Sequence, residues 1–283
     1  MSMPARRSCL SVPGSSERKL GKAAGLAADE VVIDLEDAVA VAAKDEARAA
    51  TVAALSSWRG GGVAVRVNAP GTPWCHLDIA ALGGLAQLPA SIVVPKVQSA
   101  GDLNFVDRLL DGVEAGSGRR EPLRVQALIE TAAGLARVQE IAAASPRLDA
   151  LILGYADLAA SLGGTRDLDA WLPAQHAIVV AARAHGLQAI DGPYLGVAPD
   201  EGFHAAAGRA RDLGFDGKWA IHPSQVDALN VAFTPDAAEV ERARAIVAAL
   251  DDAEDGAVQL DGEMLDEAVR AAALRVLARA GTT

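Results

Sequence analysis

The sequence is poor in cysteine and in aromatic residues. Among 283 residues there are only two cysteines, Cys9 and Cys75, and 4% of the residues are aromatic. Two cysteines are too few for a disulfide framework or a thiolate zinc site, so we interpret both as ordinary thiols. Since 51% of the chain is nonetheless hydrophobic, its core must be built from Ala, Val, Leu and Ile, which suits helices covering a buried parallel sheet.

The sequence also lacks basic blocks and long apolar runs. The net charge is -11, and no cluster of Lys and Arg compensates it, which disfavours binding to nucleic acid or to acidic lipid. Arg6 and Arg7 precede an apolar stretch that Pro13 and Gly14 interrupt, and no run approaches the roughly 18 apolar residues of a membrane span. We therefore expect a cytoplasmic protein with neither nucleic-acid nor membrane partners.

Short β-branched runs alternate with longer Ala-rich amphipathic segments, a pattern typical of repeated βα units. We predict strands at Ser8 to Val12, Val31 to Asp34, Val63 to Val67, Ser91 to Pro95, Leu123 to Ile129, Ala150 to Gly154, Leu187 to Asp191 and Lys218 to Ile221. We predict helices at Ser16 to Ala28, Lys44 to Ser57, Leu77 to Gln87, Asp102 to Glu114, Ala132 to Ala144, Pro173 to His185, Pro199 to Leu213 and Ser224 to Val231. Eight such units fit a TIM barrel of about 250 residues better than an open sheet. Residues 1–235 are therefore predicted to form a (β/α)8 catalytic domain of the α/β class.

The pattern changes after Pro235. Two further helices, Asp236 to Leu250 and Leu265 to Ala280, flank an acidic break at Asp251 to Gly256. This segment is surplus to a barrel, so residues 236–283 are predicted to form a C-terminal helical extension. Such an extension either caps the wall of its own barrel, or acts as a lid or packs on a neighbouring subunit of a homo-oligomer.

Two carboxylates, Glu130 and Asp157, come just after consecutive predicted strands. In a parallel barrel the carboxyl ends of the strands form the reactive face. Two oxygen ligands with open positions beside them suit Mg²⁺, so the spacing predicts metal-assisted chemistry on an oxygen-rich substrate. The alternative is that Glu130 is a carboxylate favoured at a helix N-terminus and that Asp157 is an N-cap.

Three more carboxylates, Asp34, Glu36 and Asp37, crowd the end of the second predicted strand. Their mutual repulsion calls for a cation, which Mg²⁺, Arg66 or Lys44 would supply. We expect Glu36 and Asp37 to hold metal-bound water or to orient Arg66, with Asp34 lower in the barrel. Arg66 ends the third strand and is placed to clamp a substrate carboxylate, unless it is only a structural partner of these acids.

Seven motifs together resemble the citrate lyase beta-subunit and malyl-CoA lyase family, part of the HpcH/HpaI aldolase superfamily. They follow the order of that family and cover essentially the whole chain. The motifs are Arg7 to Lys19, Asp34 to Val39 with Lys44 and Arg48, Arg66 to Asn68, Pro95-Lys96, Ile129 to Ala132, Gly154 to Leu158, and Gly217 to Gln225.

The resemblance implies a Mg²⁺-dependent carbon–carbon lyase. Members cleave or form the bond between an acetyl thioester unit and a 2-oxo acid, which here implies a malyl-, citramalyl- or citryl-type thioester. Glu130 and Asp157 match the two metal ligands, Glu130 beside the bound 2-oxo acid, and Arg66 matches the arginine that contacts substrate and stabilises the enolate oxygen. A homo-oligomer, with a trimer favoured, is also implied.

Coenzyme A, as part of the substrate, would bring phosphate groups. Ser15, Arg18 and Lys19, at a glycine-led helix start, are candidates to meet them through backbone N–H groups and cationic side chains, and Lys96 is a fourth candidate. The alternative is an ordinary N-cap followed by solvated cations.

The chemistry also requires a general acid or base. The segment Leu260 to Asp266 is similar to the C-terminal lid motif of the family, in which the matching aspartate reaches a neighbouring active site, so Asp266 is the candidate. The family usually has proline two residues later, where this chain has Ala268. Asp266 is otherwise an ordinary first-turn carboxylate of the last helix.

Three other functions stay open at this point. The same site would support hydrolysis of an acyl-CoA thioester. Lys96, at a barrel strand end, is where a Schiff-base aldolase would carry its nucleophile. A non-catalytic ligand-binding barrel is the third alternative, motivated by Ala268 in the altered tail.

Overall fold

The computed structural model describes residues 4–86, 89–119, 121–165, 168–251, 257–260 and 262–281. The chain divides into two compact units, Met1–Asn230 and Val231–Thr283. None of the helices within the described ranges is long and apolar enough to cross a membrane.

Eight parallel strands of the first unit close into a barrel in chain order. They are β1 Ser8–Pro13, β2 Glu30–Asp34, β3 Gly62–Arg66, β4 Ser91–Val94, β5 Arg124–Ile129, β6 Leu148–Leu153, β7 Gln188–Asp191 and β8 Gly217–Ala220. Closure is seen in β1, which pairs with β2 through Cys9 and Glu30 and with β8 through Ser8 and Lys218. The structure confirms the predicted TIM barrel, including the closure that periodicity alone does not show.

The barrel interior is filled by one apolar cluster with members from all eight strands. Its residues are Cys9, Val32, Ala64, Val93, Leu128, Ala150, Ile152, Ile190 and Trp219. Side chains alternate between the two faces of a strand, so the neighbours of these residues face the helices. The interior is mostly aliphatic, as expected, with Trp219 as its aromatic member. Burial raises the pKa of the Cys9 thiol well above its ordinary value, which keeps this cysteine inert.

Helices surround the barrel. They are α1 Glu17–Ala23, α2 Lys44–Ser56, α3 Cys75–Gly83, α4 Ala100–Ser117, α5 Ala132–Ala136, α6 Val138–Ala142, α7 Tyr155–Leu162, α8 Leu172–Ala184, α9 Glu201–Leu213 and α10 Val226–Phe233, with short 3₁₀ turns at Val41–Ala43, Leu168–Trp171 and Pro223–Gln225.

Several helix predictions were wrong in detail. The helix expected over Ala132 to Ala144 is two short helices that meet at Arg137, and α1 ends at Ala23. The sequence reasoning missed α7, which is short and is stopped by Gly163 in the left-handed conformation with φ of 66°. The end predicted at Gln87 lies outside the described residues.

The second unit consists of two helices and a hairpin. Helix α11 spans Ala237–Asp251, strands β9 Val258–Leu260 and β10 Glu263–Leu265 pair antiparallel, and α12 spans Glu267–Ala280. Leu265 packs with Ala243, Ile246 and Ala273 in a small core of this unit. The hairpin was not predicted, because three-residue strands are too short to show a periodicity. Residues 252–256 of the predicted acidic break, and Asp261, lie outside the described residues.

Candidate active site

The predicted site residues lie at the carboxyl ends of consecutive strands. Asp34 ends β2, Arg66 ends β3, Lys96 follows β4, Glu130 directly follows β5, and Asp157 lies in the first turn of α7 after β6. Because the strands are parallel, these ends share one face of the barrel. The structure thus brings together the acids and cations that the sequence placed at separate strand ends.

Arg66 is held by carboxylates. Its Nε and Nη2 donate to the two oxygens of Asp34 at 2.9 and 2.6 Å, and its Nη1 lies 3.0 Å from Glu36 Oε2 and 3.8 Å from Asp37 Oδ2. The guanidinium also lies 5.6 Å from the centroid of the Trp219 ring. Asp34 is 1% exposed whereas the Asp37 side chain is 57% exposed, so Asp34 lies deeper, as expected. The structural pairing considered as an alternative for Arg66 is therefore present, and it fixes the guanidinium at the mouth.

Lys96 lies among the acids. Its ammonium contacts the carboxylate of Glu36 and lies 3.5 Å from Asp37 Oδ1 and 3.6 Å from Asp157 Oδ2. Burial alone would lower the pKa of Lys96, but the hydrogen bond and charge of Glu36 raise it above its ordinary value. These contacts are with carboxylates, whereas the sequence analysis assigned Lys96 to coenzyme A.

The backbone of Lys96 is unusual. With φ of 52° it is the only non-glycine residue of positive φ within the described residues. Such conformations cost energy and concentrate at functional sites. Here the conformation accompanies a hydrogen bond from the Lys96 N–H to Glu130 Oε1 at 2.9 Å, so the backbone itself holds the buried acid.

Glu130 is 3% exposed. Burial first, and then the charge of Glu36 with that of Asp157, raises its pKa to about 8, although Arg66 and Lys96 oppose the shift. Gly154 makes room for this side chain, since a Cβ at position 154 would lie 2.6 Å from Cβ and 2.7 Å from Oε2 of Glu130. A carboxylate that is costly to ionise and that neighbouring acids crowd is suited to a cation.

The donor set fits a divalent cation such as Mg²⁺. Carboxylate oxygens are the hard ligands that Mg²⁺ prefers, and five carboxylates here face two cationic side chains. The acids are Asp34, Glu36, Asp37, Glu130 and Asp157, and the cations are Arg66 and Lys96. Across the part of the chain that the structure describes, no group of three or more His, Cys, Asp or Glu side chains is arranged to hold a metal. The oxygens of Glu130 and Asp157 are of the type that would hold such an ion, and this ligand pair stays a prediction.

The predicted phosphate-binding residues lie at the same end of the barrel. Ser15, Arg18 and Lys19 follow β1, in and just before α1, and all three are exposed. The described contacts do not join them to the acid cluster.

Asp266 is the N-cap of α12. Its Oδ1 accepts hydrogen bonds from the backbone N–H groups of Ala268 and Val269 at 2.9 and 3.1 Å, and the residue is exposed. These bonds match the alternative interpretation of Asp266 as a carboxylate at a helix N-terminus. Both of them use Oδ1, so Oδ2 takes no part in the cap.

Lys44 was expected to offset the charge of Asp34, Glu36 and Asp37. Its buried ammonium donates to the main-chain carbonyls of Leu35 and Glu36 at 2.8 and 2.7 Å. Lys44 thereby fixes the loop that carries Glu36. Burial lowers the pKa of Lys44, and the charges of Asp34, Glu36 and Asp37 oppose this shift, so the lysine also interacts with the acids. The sequence shows a lysine at the start of a helix, after an acidic loop, but it does not show which atoms that lysine contacts.

Comparison with known proteins identifies the family. Residues 7–223 match the model of the family described as HpcH/HpaI aldolase/citrate lyase. The chain is 42% identical to an L-malyl-CoA/beta-methylmalyl-CoA lyase of Cereibacter sphaeroides, over 90% of this chain and 88% of that protein. It is 39% identical to a (3S)-malyl-CoA thioesterase of the same species, over 97% of this chain and 94% of that protein.

A solved structure extends the similarity. The CitE protein of Mycobacterium tuberculosis, in complex with magnesium, acetoacetate and coenzyme A, matches with a TM-score of 0.81 and 34% identity over 98% of both chains. The fold and the enzyme class predicted from the motifs, a carbon–carbon lyase, are confirmed at that level. The chain therefore belongs to the HpcH/HpaI aldolase/citrate lyase family.

Proposed function

We propose that the protein is a Mg²⁺-dependent lyase of coenzyme A esters. It cleaves, or in reverse forms, a 3-hydroxyacyl-CoA of the malyl, citramalyl or citryl type, and its products are acetyl-CoA and a 2-oxo acid. The observation that carries the proposal is the excess of carboxylates over cations at the barrel mouth, centred on buried Glu130. The similarity to a malyl-CoA lyase and to a complex with magnesium and coenzyme A supports it.

In this proposal Glu130 and Asp157 hold the ion, and oxygens of the 2-oxo acid and water complete its coordination. When bound, Mg²⁺ acts as a Lewis acid that polarises the keto oxygen and offsets the negative charge of the site. Glu130 is then also part of the surface that the 2-oxo acid contacts.

Arg66 is the group that we propose to stabilise the negative charge developing on the substrate. A guanidinium carries five N–H donors, and the contacts to Asp34 and Glu36 leave hydrogens on Nη1 and Nη2 for substrate. Because carboxylates and the Trp219 ring already hold the group in place, it stabilises the oxygen of the acetyl enolate with little reorganisation. Glu36 and Asp37 hold both cations, Arg66 and Lys96, in this arrangement.

Cleavage removes the proton of the substrate hydroxyl, breaks the carbon–carbon bond, and returns a proton to the acetyl enolate. We assign this acid–base role to Asp266, through the oxygen that the helix cap does not use. We also propose a homo-oligomer, with a trimer favoured, in which this aspartate serves a neighbouring subunit. Light scattering of the purified protein measures the subunit number.

Asp266→Ser separates the capping role from the acid–base role, because serine is also a good N-cap. We expect turnover to fall by about 10²–10⁴-fold, the usual contribution of a general acid or base, while the unfolding midpoint stays unchanged. Asp266→Ala is the matched variant that loses the cap as well and should cost about 1 kcal/mol of stability. A fully active Asp266→Ser protein contradicts the assignment.

The contacts of Lys96 disfavour a Schiff-base aldolase mechanism. An imine-forming lysine needs a lowered pKa, whereas the Lys96 ammonium is bound by acids and its pKa is raised. Borohydride added with substrate should leave the enzyme active, and a reduced adduct on Lys96 would reverse this conclusion.

Thioester hydrolysis is the second candidate, and the similarity to a malyl-CoA thioesterase over 97% of the chain favours it. Malyl-CoA, citramalyl-CoA and citryl-CoA should each be incubated with protein in Mg²⁺ and in EDTA. A lyase yields acetyl-CoA and a 2-oxo acid, whereas a hydrolase yields free coenzyme A and a hydroxy acid. Turnover that survives the chelator contradicts the proposed metal dependence.

A further inference from the structure

A buried ion pair joins β7 and β8 on the side of the barrel wall that faces the helices. Lys218 Nζ lies 2.5 Å from Asp191 Oδ2 and donates to the Gly192 carbonyl at 2.6 Å. Both charged side chains are 1% exposed. Removing two charges from water costs about as much as their attraction returns, so stability alone does not account for the pair.

The pair extends to Tyr155. The Tyr155 hydroxyl donates to Asp191 Oδ1, and Gln175 Nε2 donates to the hydroxyl at 2.7 Å. Trp171 packs against the ring edge to face at 5.5 Å, and Lys218 Nζ lies 5.7 Å from the ring centroid. Tyr155 is therefore held from the barrel wall and from the helix layer at once.

Tyr155 is also the first residue of α7, the helix that carries Asp157. The N-cap of this helix is Gly154, which offers no side-chain cap. Gly192 allows close packing here, since a Cβ at position 192 would clash with the Leu153 carbonyl and lie 2.7 Å from Tyr155 Cδ2. With no cap to fix it, the first turn of α7 depends on the anchored tyrosine.

We propose that Tyr155, Asp191 and Lys218 are positioning residues that hold the first turn of α7, so that the Asp157 carboxylate faces the metal position. The inference rests on the proposed function, in which Asp157 is a ligand of Mg²⁺. The contacts of Tyr155, Asp191 and Lys218 join the ends of β6, β7 and β8. They thereby fix the position of Asp157, which lies two residues after Tyr155.

Tyr155→Phe tests the proposal by removing a single hydroxyl. Binding of Mn²⁺, as a spectroscopic stand-in for Mg²⁺, is measured on the purified protein by electron paramagnetic resonance. We expect the Kd to rise about tenfold, the lower range for the loss of a group that orients a metal ligand. The concentration of Mg²⁺ for half-maximal turnover should rise similarly, with kcat recovered at saturation.

Tyr194→Phe is the matched control, because Tyr155 and Tyr194 are the two tyrosines of the chain. It should bind Mn²⁺ like the unmodified protein. Should Tyr155→Phe fail to fold, Asp191→Asn removes the charge that holds the Tyr155 hydroxyl and the Lys218 ammonium, and it is judged by the same measurement. A Kd within about twofold of the control, in whichever folded variant is used, overturns the positioning role.

Asp157→Asn separates this inference from the proposal on which it rests. If Asp157→Asn weakens Mn²⁺ binding and Tyr155→Phe does not, only the positioning role is wrong. If Asp157→Asn binds Mn²⁺ unchanged, the proposed ligand set is wrong and the positioning role is wrong with it.

Discussion

The two ends of the barrel both bury charged side chains, but they balance them differently. At the amino-terminal end, Arg6 donates to Glu30 at 3.0 Å, to Gln188 at 2.6 Å and to Asp149 at 3.1 Å. Arg124 also approaches Asp149, at 3.8 Å, so two acids meet two cations. At the carboxyl end five carboxylates face Arg66 and Lys96.

This difference distinguishes a charge cluster that stabilises the fold from the cluster in which we propose that the reaction takes place. The balanced cluster closes the bottom of the barrel, where a charge without a partner would only destabilise the fold. The unbalanced cluster keeps an excess of negative charge, which the proposed Mg²⁺ would offset. Folds commonly accept such a local cost at functional sites.

Glu130→Gln should have the largest effect, and on turnover. A bound divalent ion supplies several kcal/mol of charge stabilisation, and each 1.4 kcal/mol is tenfold in rate, so we expect kcat to fall by about 10³-fold. The free energy of unfolding at neutral pH should stay nearly equal, because the pKa of Glu130 is raised to about 8 and the folded protein already holds this side chain mostly in its uncharged form. If the variant keeps a tenth of its turnover, the proposed role of Glu130 in the reaction is contradicted.

Arg6→Met should show the opposite behaviour. It leaves Glu30 and Asp149 buried with a lost partner, so we expect denaturant unfolding to show a loss of about 3–5 kcal/mol with unchanged Mn²⁺ affinity. Arg7→Met is the control at the same end, since Arg7 pairs with Asp29 but is only partly buried, and it should cost about 1 kcal/mol or less. Equal losses in the two variants would contradict the supporting role of the deep cluster.

A pH series sharpens the comparison with a smaller effect. In the proposed site, metal binding requires the carboxylate form of Glu130, whose pKa is raised to about 8, so each ion would displace a proton below that pH. We expect Mn²⁺ affinity to rise by about tenfold per pH unit up to pH 8 and then to level off. Glu130→Gln should lack this slope, and a flat profile in the unmodified protein would show that Glu130 is already ionised.

The raised pKa of Glu130 also determines the direction in which the free energy of unfolding changes with pH. Because the folded-state pKa of Glu130 lies above its ordinary value of 4.5, the folded state favours the protonated acid. This contribution to the free energy of unfolding is present below about pH 4.5 and is lost as the pH rises through about 8.

Glu130 and Asp157 could be placed at the carboxyl ends of the barrel strands from the sequence, because the signal for that position is local. Glu130 and Asp157 follow apolar runs that already read as strands, and the parallel topology brings such strand ends together. The pair of Lys218 and Asp191 could not be predicted in this way, because it depends on the register of β8 against β7, which neither strand's own sequence determines.

The buried contacts of Arg6 were not predicted, for a related reason. In the sequence it is one of two basic residues near the start of the chain, whereas in the structure it is 2% exposed and contacts three strands. Helix α7 was missed because eight residues with one exposed face carry too weak a pattern beside the longer α8.

The left-handed backbone at Lys96 has a consequence for redesign. Since the amide of residue 96 donates to Glu130, the attachment of that acid does not depend on which side chain the position carries. Glycine, which adopts positive φ without strain, would retain the attachment while deleting the ammonium. The mouth of the barrel can thus be made more acidic at one position without releasing the carboxylate beneath it.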